Sequence, residues 1–486
     1  MKRNKFSLTQ YKLLTTDLGK LTPCSLTEVL PGDSFLGHTG ALLRTTPLVA
    51  PVMHPIQVRI HHWFVPTRLV FPDWEKFITG GNDGQGDGSV FPTITAGGSG
   101  FAIGSLPDYL GCPTGVANLE VNAIPIRATN LIFNEFYRDQ DMVTAVAEDN
   151  EDVQRIAWEK DYFTASRPWS QRGPDITLPL GTEAPVLGIG KTDQTYSGAN
   201  TQHYETDASA TRNYVSFSGF SNANIEEDPN NTGYPYIRAD LTNATAASVN
   251  DIREAFALQR YQEARARYGA RYTEYLRYCG VVPSDARLQR PEYLGGGKST
   301  ISFSEVLQTS ESGTTPLGTL GGHGIALMST RKFMRYFTEH GYVISLISAR
   351  PKTIYADGLE RTWNRRTKED YFQKELQHIG QQEIENREVY AQATTADDDT
   401  FGWQDRYSEY RKANSSIAGE FRDPAFENWH LAREFASLPT LNQSFTDCDP
   451  GDRIFATSLV DNLQIMTQNT IKARRMVSRT QSNRVY

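Results

Sequence analysis

Across residues 56–65 the chain alternates strictly. Ile56, Val58, Ile60, His62 and Phe64 fall on one side, and Gln57, Arg59, His61, Trp63 and Val65 on the other. A period of two over this length predicts a strand with one face in a core. Residues 301–307 and 342–348 read as further strands, and residues 453–466 as the last. Helical spacing occurs twice. Asn130 can cap a helix over 131–142, with Leu131, Phe133 or Asn134, and Tyr137 or Arg138 toward one side. Ser248, followed by Asp251, opens a second helix that runs to about Tyr278, with a break near Gly269. Tyr261, Tyr268, Tyr272 and Tyr275 form one stripe of it, set among Arg253, Arg260, Arg265, Arg267, Arg271 and Arg277. Such a surface can stack bases and hold phosphates. The pattern favours instead an amphipathic helix packed on a sheet, with a salt-bridged outer face.

Other stretches read by their breakers. Residues 280–297 carry Pro283, Pro291 and the run Gly295-Gly296-Gly297, which excludes a helix and makes a poor central strand. The three glycines are expected to end any regular element there. Residues 1–30 are polar and Thr-rich, an arm lying on a neighbouring surface rather than part of a core. Residues 80–100 are rich in Gly, Asp and Ser and read as a surface loop. Residues 181–237 are too long and polar for a plain connection, which predicts a surface insertion with some strand of its own, for example 213–220. No period of 20 to 50 residues repeats.

Composition sharpens this picture. The 486 residues include 38 Gly and 24 Pro, which suits a loop-rich β protein. The formal charge of −8 gives no sign of general affinity for nucleic acid or membrane. Its distribution is uneven. Lys2, Arg3, Lys5 and Lys12 stand in an N-terminal stretch without acids, and Lys472, Arg474, Arg475, Arg479 and Arg484 in an acid-free C-terminal one. Setting these nine charges aside takes the body from −8 to −17. Basic ends on an acidic body point either to two surfaces meeting different environments or simply to charges that keep frayed ends soluble. Cys24, Cys112, Cys279 and Cys448 form no metal-binding spacing and read as reduced thiols. The start of the chain lacks an apolar signal core, and no run is long enough to span a bilayer.

Specific motifs carry a resemblance. Ser284-Asp285-Ala286-Arg287-Leu288-Gln289-Arg290-Pro291-Glu292-Tyr293-Leu294-Gly295-Gly296 resembles the signature run of the major capsid proteins of the Microviridae, small icosahedral single-stranded DNA phages, in their gokushovirus form. Similar matches occur at Phe64-Val65-Pro66-Thr67-Arg68, Tyr137-Arg138-Asp139-Gln140, Asp161 to Trp169, Gly358 to Trp363, Phe401-Gly402-Trp403-Gln404 and Trp429-His430-Leu431-Ala432. They follow the family's order from about residue 31 to 445.

The resemblance implies a mainly β chain. It would be an eight-stranded antiparallel jelly roll with long loop and helical insertions, one capsid domain over 1–486. It implies self-assembly into a T=1 shell in the virion, around circular single-stranded DNA, built in a bacterial cytoplasm. It makes residues 181–237 the variable protrusion near the threefold axes. The implied partners are further copies of the chain, a small basic DNA-binding protein, an internal scaffolding protein, a DNA pilot protein and a host surface receptor, without membrane insertion. Residues 467–486 read as a basic tail from their charge, which is a departure from the family's pattern. Lys2, Arg3, Lys5, Lys472, Arg474, Arg475, Arg479 and Arg484 are the candidate nucleic-acid-facing residues. Deleting 470–486 is then expected to reduce DNA retention more than assembly. Nine positive charges per copy give on the order of five hundred per shell, against several thousand phosphates. Most neutralisation must come from elsewhere.

Catalytic chemistry is not legible. Gly297-Lys298-Ser299 lacks the leading glycine of a phosphate loop and precedes a strand. His61 and His62 are adjacent on a strand and point to opposite faces. Asp447, Asp449 and Asp452 flank a Pro-Gly turn and lack the ligand at the fifth position of a calcium loop. No catalytic residue, metal or cofactor is expected. The competing class is a secreted β-sandwich glycan-binding protein or glycosidase, which needs two carboxylates about 5–10 Å apart across a cleft.

Overall fold

The computed structural model describes residues 3–81, 90–174, 176, 249–269, 271–309 and 317–478, with the backbone of 186–187, 204–207, 210–213 and 238–239. Contacts divide the chain into two compact units, one of residues 1–171 with 265–486 and one of 172–264.

The larger unit is built on two antiparallel sheets. The first contains β1 (Asn4–Ser7), β2 (Gln10–Thr16) and β4 (Ser34–Thr45). The second contains β3 (Thr22–Val29) and β5 (Ile56–Pro66), joined later by β6 (Glu292–Thr300). The chain returns to the first sheet with β7 (Ser302–Leu307), β8 (Leu320–Ser329) and β9 (Phe333–Tyr336). It crosses to the second with β10 (Gly341–Pro351) and ends in the first with β11 (Leu463–Arg475). The first sheet runs β1–β11–β4–β8–β7, with β2 also on β11 and β9 also on β4; the second runs β6–β5–β10–β3.

The two sheets differ in how they are covered. In β4 and β11 buried and outward positions alternate almost without a break, as a sheet with one covered face requires. In β10 seven consecutive residues from Val343 to Ala349 are buried. The reason lies on the far side of the second sheet. There Trp63, Val65, Ile344 and Leu346 pack under α1 (Ile124–Ile132) through Ile124, Ala128 and Ile132. Between the sheets lie Leu43, Ile56, Val58, Ile60, Met328, Ile347, Leu463 and Ile465. Each such side chain contributes roughly 1.5–3 kcal/mol by leaving water.

Four expectations are corrected. Residues 1–30 are not a loose arm: 4–29 hold three strands, with Leu14, Leu18, Cys24 and Val29 buried. The glycine run does not end an element. It lies inside β6, at the edge of its sheet, where Gly296 pairs with His61 and Gly297 with Ile60. A side chain at Gly296 would put its Cβ 2.2 Å from the Ile60 carbonyl oxygen, so the close approach of backbone requires glycine there. The first expected helix lies earlier, over α1, and continues as a π-turn through Phe133–Tyr137. Asn130 is buried inside it, its amide donating to the carbonyls of Glu148 and Asn150 at 2.8 and 2.9 Å. The last strand starts at Leu463 rather than 453 and runs to Arg475, so residues 467–475 of the expected tail are a sheet strand.

The second expected helix is observed as α2 (Val249–Tyr268) and α3 (Tyr272–Tyr278), separated at Gly269. Its φ of +97° is a conformation few other residues adopt. Part of the expected 80–100 loop is ordered pairing, since Thr93–Thr95 pairs with Glu120–Asn122; residues 82–89 lie outside the described residues. In the smaller unit Tyr204–Asp207 pairs with Ala210–Asn213, and Val186–Leu187 with Arg238–Ala239. Residues 214–220, where a strand was expected, lie outside the described residues.

Candidate nucleic-acid interface

The uncovered face of the first sheet gathers the charges that the sequence places at its two ends. β1 runs antiparallel to the end of β11, pairing Lys5 with Arg474 and Ser7 with Lys472. β11 in turn pairs Arg474 with Ser34 and Lys472 with Leu36 on β4. β4 then pairs Ser34 with Tyr336 and Leu36 with Met334 on β9. Two rows of outward side chains result: Lys5, Arg474, Ser34 and Tyr336 in one, and Ser7, Lys472, Leu36 and Met334 in the next. Rows lie about 6.8 Å apart and strands about 4.8 Å. Arg3 precedes β1 and ties the corner together. Its guanidinium donates to the Gly32 carbonyl and Ser34 Oγ at 2.9 and 3.0 Å and sits 5.3 Å from the centre of the Tyr336 ring.

Farther along, the same face presents Tyr11 and Leu13 of β2, Met466 and Gln468 of β11, Arg44 of β4 and Leu327 of β8. Among the described residues, no outward position of β1, β2, β4, β8, β9 or β11 is Asp or Glu. In a chain with more acids than bases that is a marked segregation of charge. Asp461, which accepts from the Thr15 hydroxyl, stands just before β11 at the opposite end.

The predicted site residues therefore separate. Arg3, Lys5, Lys472 and Arg474 meet at one corner. Arg475, the next residue on β11, points inward: its Nε lies 2.9 Å from Asp33, which is fully buried, and its guanidinium lies 5.3 Å from the Phe35 ring. It is a packing residue rather than part of the face. Lys12 also turns in, donating to the carbonyls of Pro23 and Tyr109, and burial pushes its ammonium below the usual range. Lys2, Arg479 and Arg484 lie outside the described residues. The sequence reading missed the apolar partners on this face, Leu36, Met334 and Tyr336. Their signal is an apolar residue at the exposed phase of an alternating strand.

The remaining candidates resolve into structure. His62 is buried between Ser345 and Thr330, with ring nitrogens 2.8 and 3.1 Å from their hydroxyls, while His61 faces the other way, 2.6 Å from the Tyr137 hydroxyl. Burial drives both down to about 4. Asp449 pairs with Arg155 and Asp452 accepts from Asn462, so the three aspartates serve different partners. Lys298 and Ser299 lie in β6, without a helix N-terminus. The tyrosine stripe does not pack on a sheet: Tyr268, Tyr272 and Tyr275 are exposed. Cys24 and Cys448 are buried and unpaired, and desolvation pushes both thiols up to about 12, too high for a nucleophile. Among the described residues no three His, Cys, Asp or Glu groups converge for a metal ion, and no helix is long and apolar enough to cross a membrane.

The profile of the family described as "Capsid protein (F protein)" matches residues 1–483. This chain belongs to that phage capsid family. It is 38% identical to the capsid protein VP1 of Bdellovibrio phage phiMH2K over 474 residues, covering 92% of this chain and 88% of that one. It is 33% identical to the capsid protein VP1 of Chlamydia phage 1, covering 94% and 91%. It is 29% identical to the capsid protein VP1 of Spiroplasma virus 4, covering 95% and 90%. All three are Microviridae proteins. The family places the chain in the virion as its major capsid protein.

Proposed function

We propose that this capsid protein is an eight-stranded jelly roll that tiles a closed T=1 shell and turns the uncovered face of its first sheet toward packaged single-stranded DNA. The strand path supports the jelly roll. β2, β3, β4 and β5 alternate between sheets; β6 stays in the second; then β8, β10 and β11 alternate again. That gives four principal strands per sheet, β2–β11–β4–β8 and β3–β10–β5–β6. The observation that carries the inward orientation is the corner of Arg3, Lys5, Lys472 and Arg474, whose lining holds no carboxylate. Cations gathered there lower the repulsion of confined phosphates, while the acidic remainder keeps the particle soluble.

With Arg475 and Lys12 turned inward, fewer than nine terminal charges reach the genome, so the deficit grows. That supports a small basic DNA-binding protein as a partner. An internal scaffolding protein, a DNA pilot protein and a host receptor complete the proposed assembly, and the subunit performs no catalysis. The test is a Lys472→Ala/Arg474→Ala variant expressed as particles. Closed shells should form while nuclease-protected DNA per particle falls measurably below the parent's. Unchanged DNA content would contradict the inward face.

A further inference from the structure

The corner where the two termini meet differs from the rest of the face. It surrounds a depression of about 630 Å³ lined by Lys5, Leu36, Met334, Tyr336, Lys472 and Arg474, with Phe35 below. Met334 is 82% exposed and Tyr336 55%, an unusual allowance for large apolar groups on neighbouring strand positions. The arrangement is ordered. Across the sheet the cations occupy β1 and β11, while the apolar and aromatic groups occupy β4 and β9, one or two strands away.

We propose that this corner is a subsite for single-stranded nucleic acid, in which β11 and β1 carry the phosphates and Leu36, Met334 and Tyr336 receive the bases. The proposal rests on the reading that this face meets packaged nucleic acid, and adds that it recognises unpaired bases. The geometry supports each part. Lys472 and Arg474 follow one another by one row, about 6.8 Å, a step that an extended single strand makes with one nucleotide. A base swung from that backbone across β4 reaches Leu36 and then the Met334 and Tyr336 pair. Arg3 sits over one face of the Tyr336 ring and is held by Gly32 and Ser34, so it fixes the ring and leaves its other face to a stacked base. A duplex keeps its bases inside and can use only the phosphate track. A protein segment would find apolar contacts, but no acceptor or acid among the outward groups of these two rows beyond Ser7, Ser34 and the Tyr336 hydroxyl. A polyanion with flat apolar bases fits both halves.

The test is fluorescence anisotropy with the full chain as unassembled subunit, using an oligothymidylate of about 16 nucleotides and a duplex of equal length at several salt concentrations. Tyr336→Ala should weaken single-strand binding roughly 10-fold, leave duplex binding within about twofold, and leave the salt slope unchanged. Tyr336→Phe, which keeps the ring, should restore it. Lys472→Ala should weaken both ligands and reduce the slope by about 0.7–0.9. If Tyr336→Ala and Met334→Ala bind the oligothymidylate like the parent while Lys472→Ala is weaker, the base subsite is overturned and the cationic face stands. If Lys472→Ala also binds like the parent, both readings go. Equal loss in Tyr336→Ala and Tyr336→Phe would show that the ring does not stack a base. Thermal unfolding at the parent's midpoint checks that each variant is folded.

Discussion

Arg474 and Arg475 are chain neighbours with opposite surroundings, because successive side chains of a strand point to opposite faces. Arg474 stands in the open; Arg475 neutralises Asp33 inside. Arg475→Ala leaves a buried carboxylate unpaired and should cost about 3–5 kcal/mol in chemical denaturation of the subunit. Arg474→Ala should change stability by less than about 0.5 kcal/mol. Composition placed both in one basic tail, and only the phase of β11 separates them. His54, His61 and His62 carry a pH dependence. Burial lowers each to about 4, below the ordinary 6.5, so the unfolded chain binds more protons between these values. Their stabilisation is complete above about 6.5 and is lost as the pH falls toward 4. Glu388, raised to about 7 by burial, acts in the opposite sense, its contribution fading as the pH rises through 7. With three histidines against the raised carboxyls of Glu388 and Asp447, subunit stability should fall between pH 6.5 and 4. A His62→Asn variant should show a slope shallower by about one proton.

Among elements, β11 carries the most consequence, and its sequence disguised it. Its inward positions are Leu463, Ile465, Thr467, Asn469, Ile471 and Ala473. Thr467 and Asn469 interrupt the apolar period, yet both are satisfied: the Asn469 amide donates to the Cys24 carbonyl at 3.0 Å and its oxygen accepts from Thr39 at 2.7 Å. A buried polar pair of this kind is invisible to a hydrophobic pattern, whereas the unbroken alternation of β5 was plain. The N-terminal strands were missed for the converse reason. Tyr11 and Leu13 put apolar groups on the exposed phase, blurring the contrast between faces. Removing 470–486 therefore takes away half of a strand paired on both sides, so it should yield insoluble subunit rather than intact shells with less DNA. Solubility and circular dichroism of the truncated chain check this. β6 shows how an edge strand tolerates glycine. Gly296→Ala should destabilise by about 2 kcal/mol or more, read as a lower denaturation midpoint, because the Ile60 carbonyl must move.

At the scale of the whole molecule, the family was legible from many short motifs in order, and the interface only in part. The sequence placed basic residues at both ends, but nothing local says that residues 4–7 and 472–475 become antiparallel neighbours; that pairing spans almost the full chain. Once it forms, two weak charge clusters become one face without carboxylates, backed by a sheet whose other side is the core. The second sheet, covered on both faces, has no comparable open surface. The most direct measurement is an electron cryomicroscopy reconstruction of particles assembled from this chain. The expected result is a closed shell with Lys5, Lys472, Arg474 and Tyr336 on its inner wall, in contact with nucleic-acid density. A shell with that sheet face on the outside, or buried between subunits away from the lumen, would contradict it.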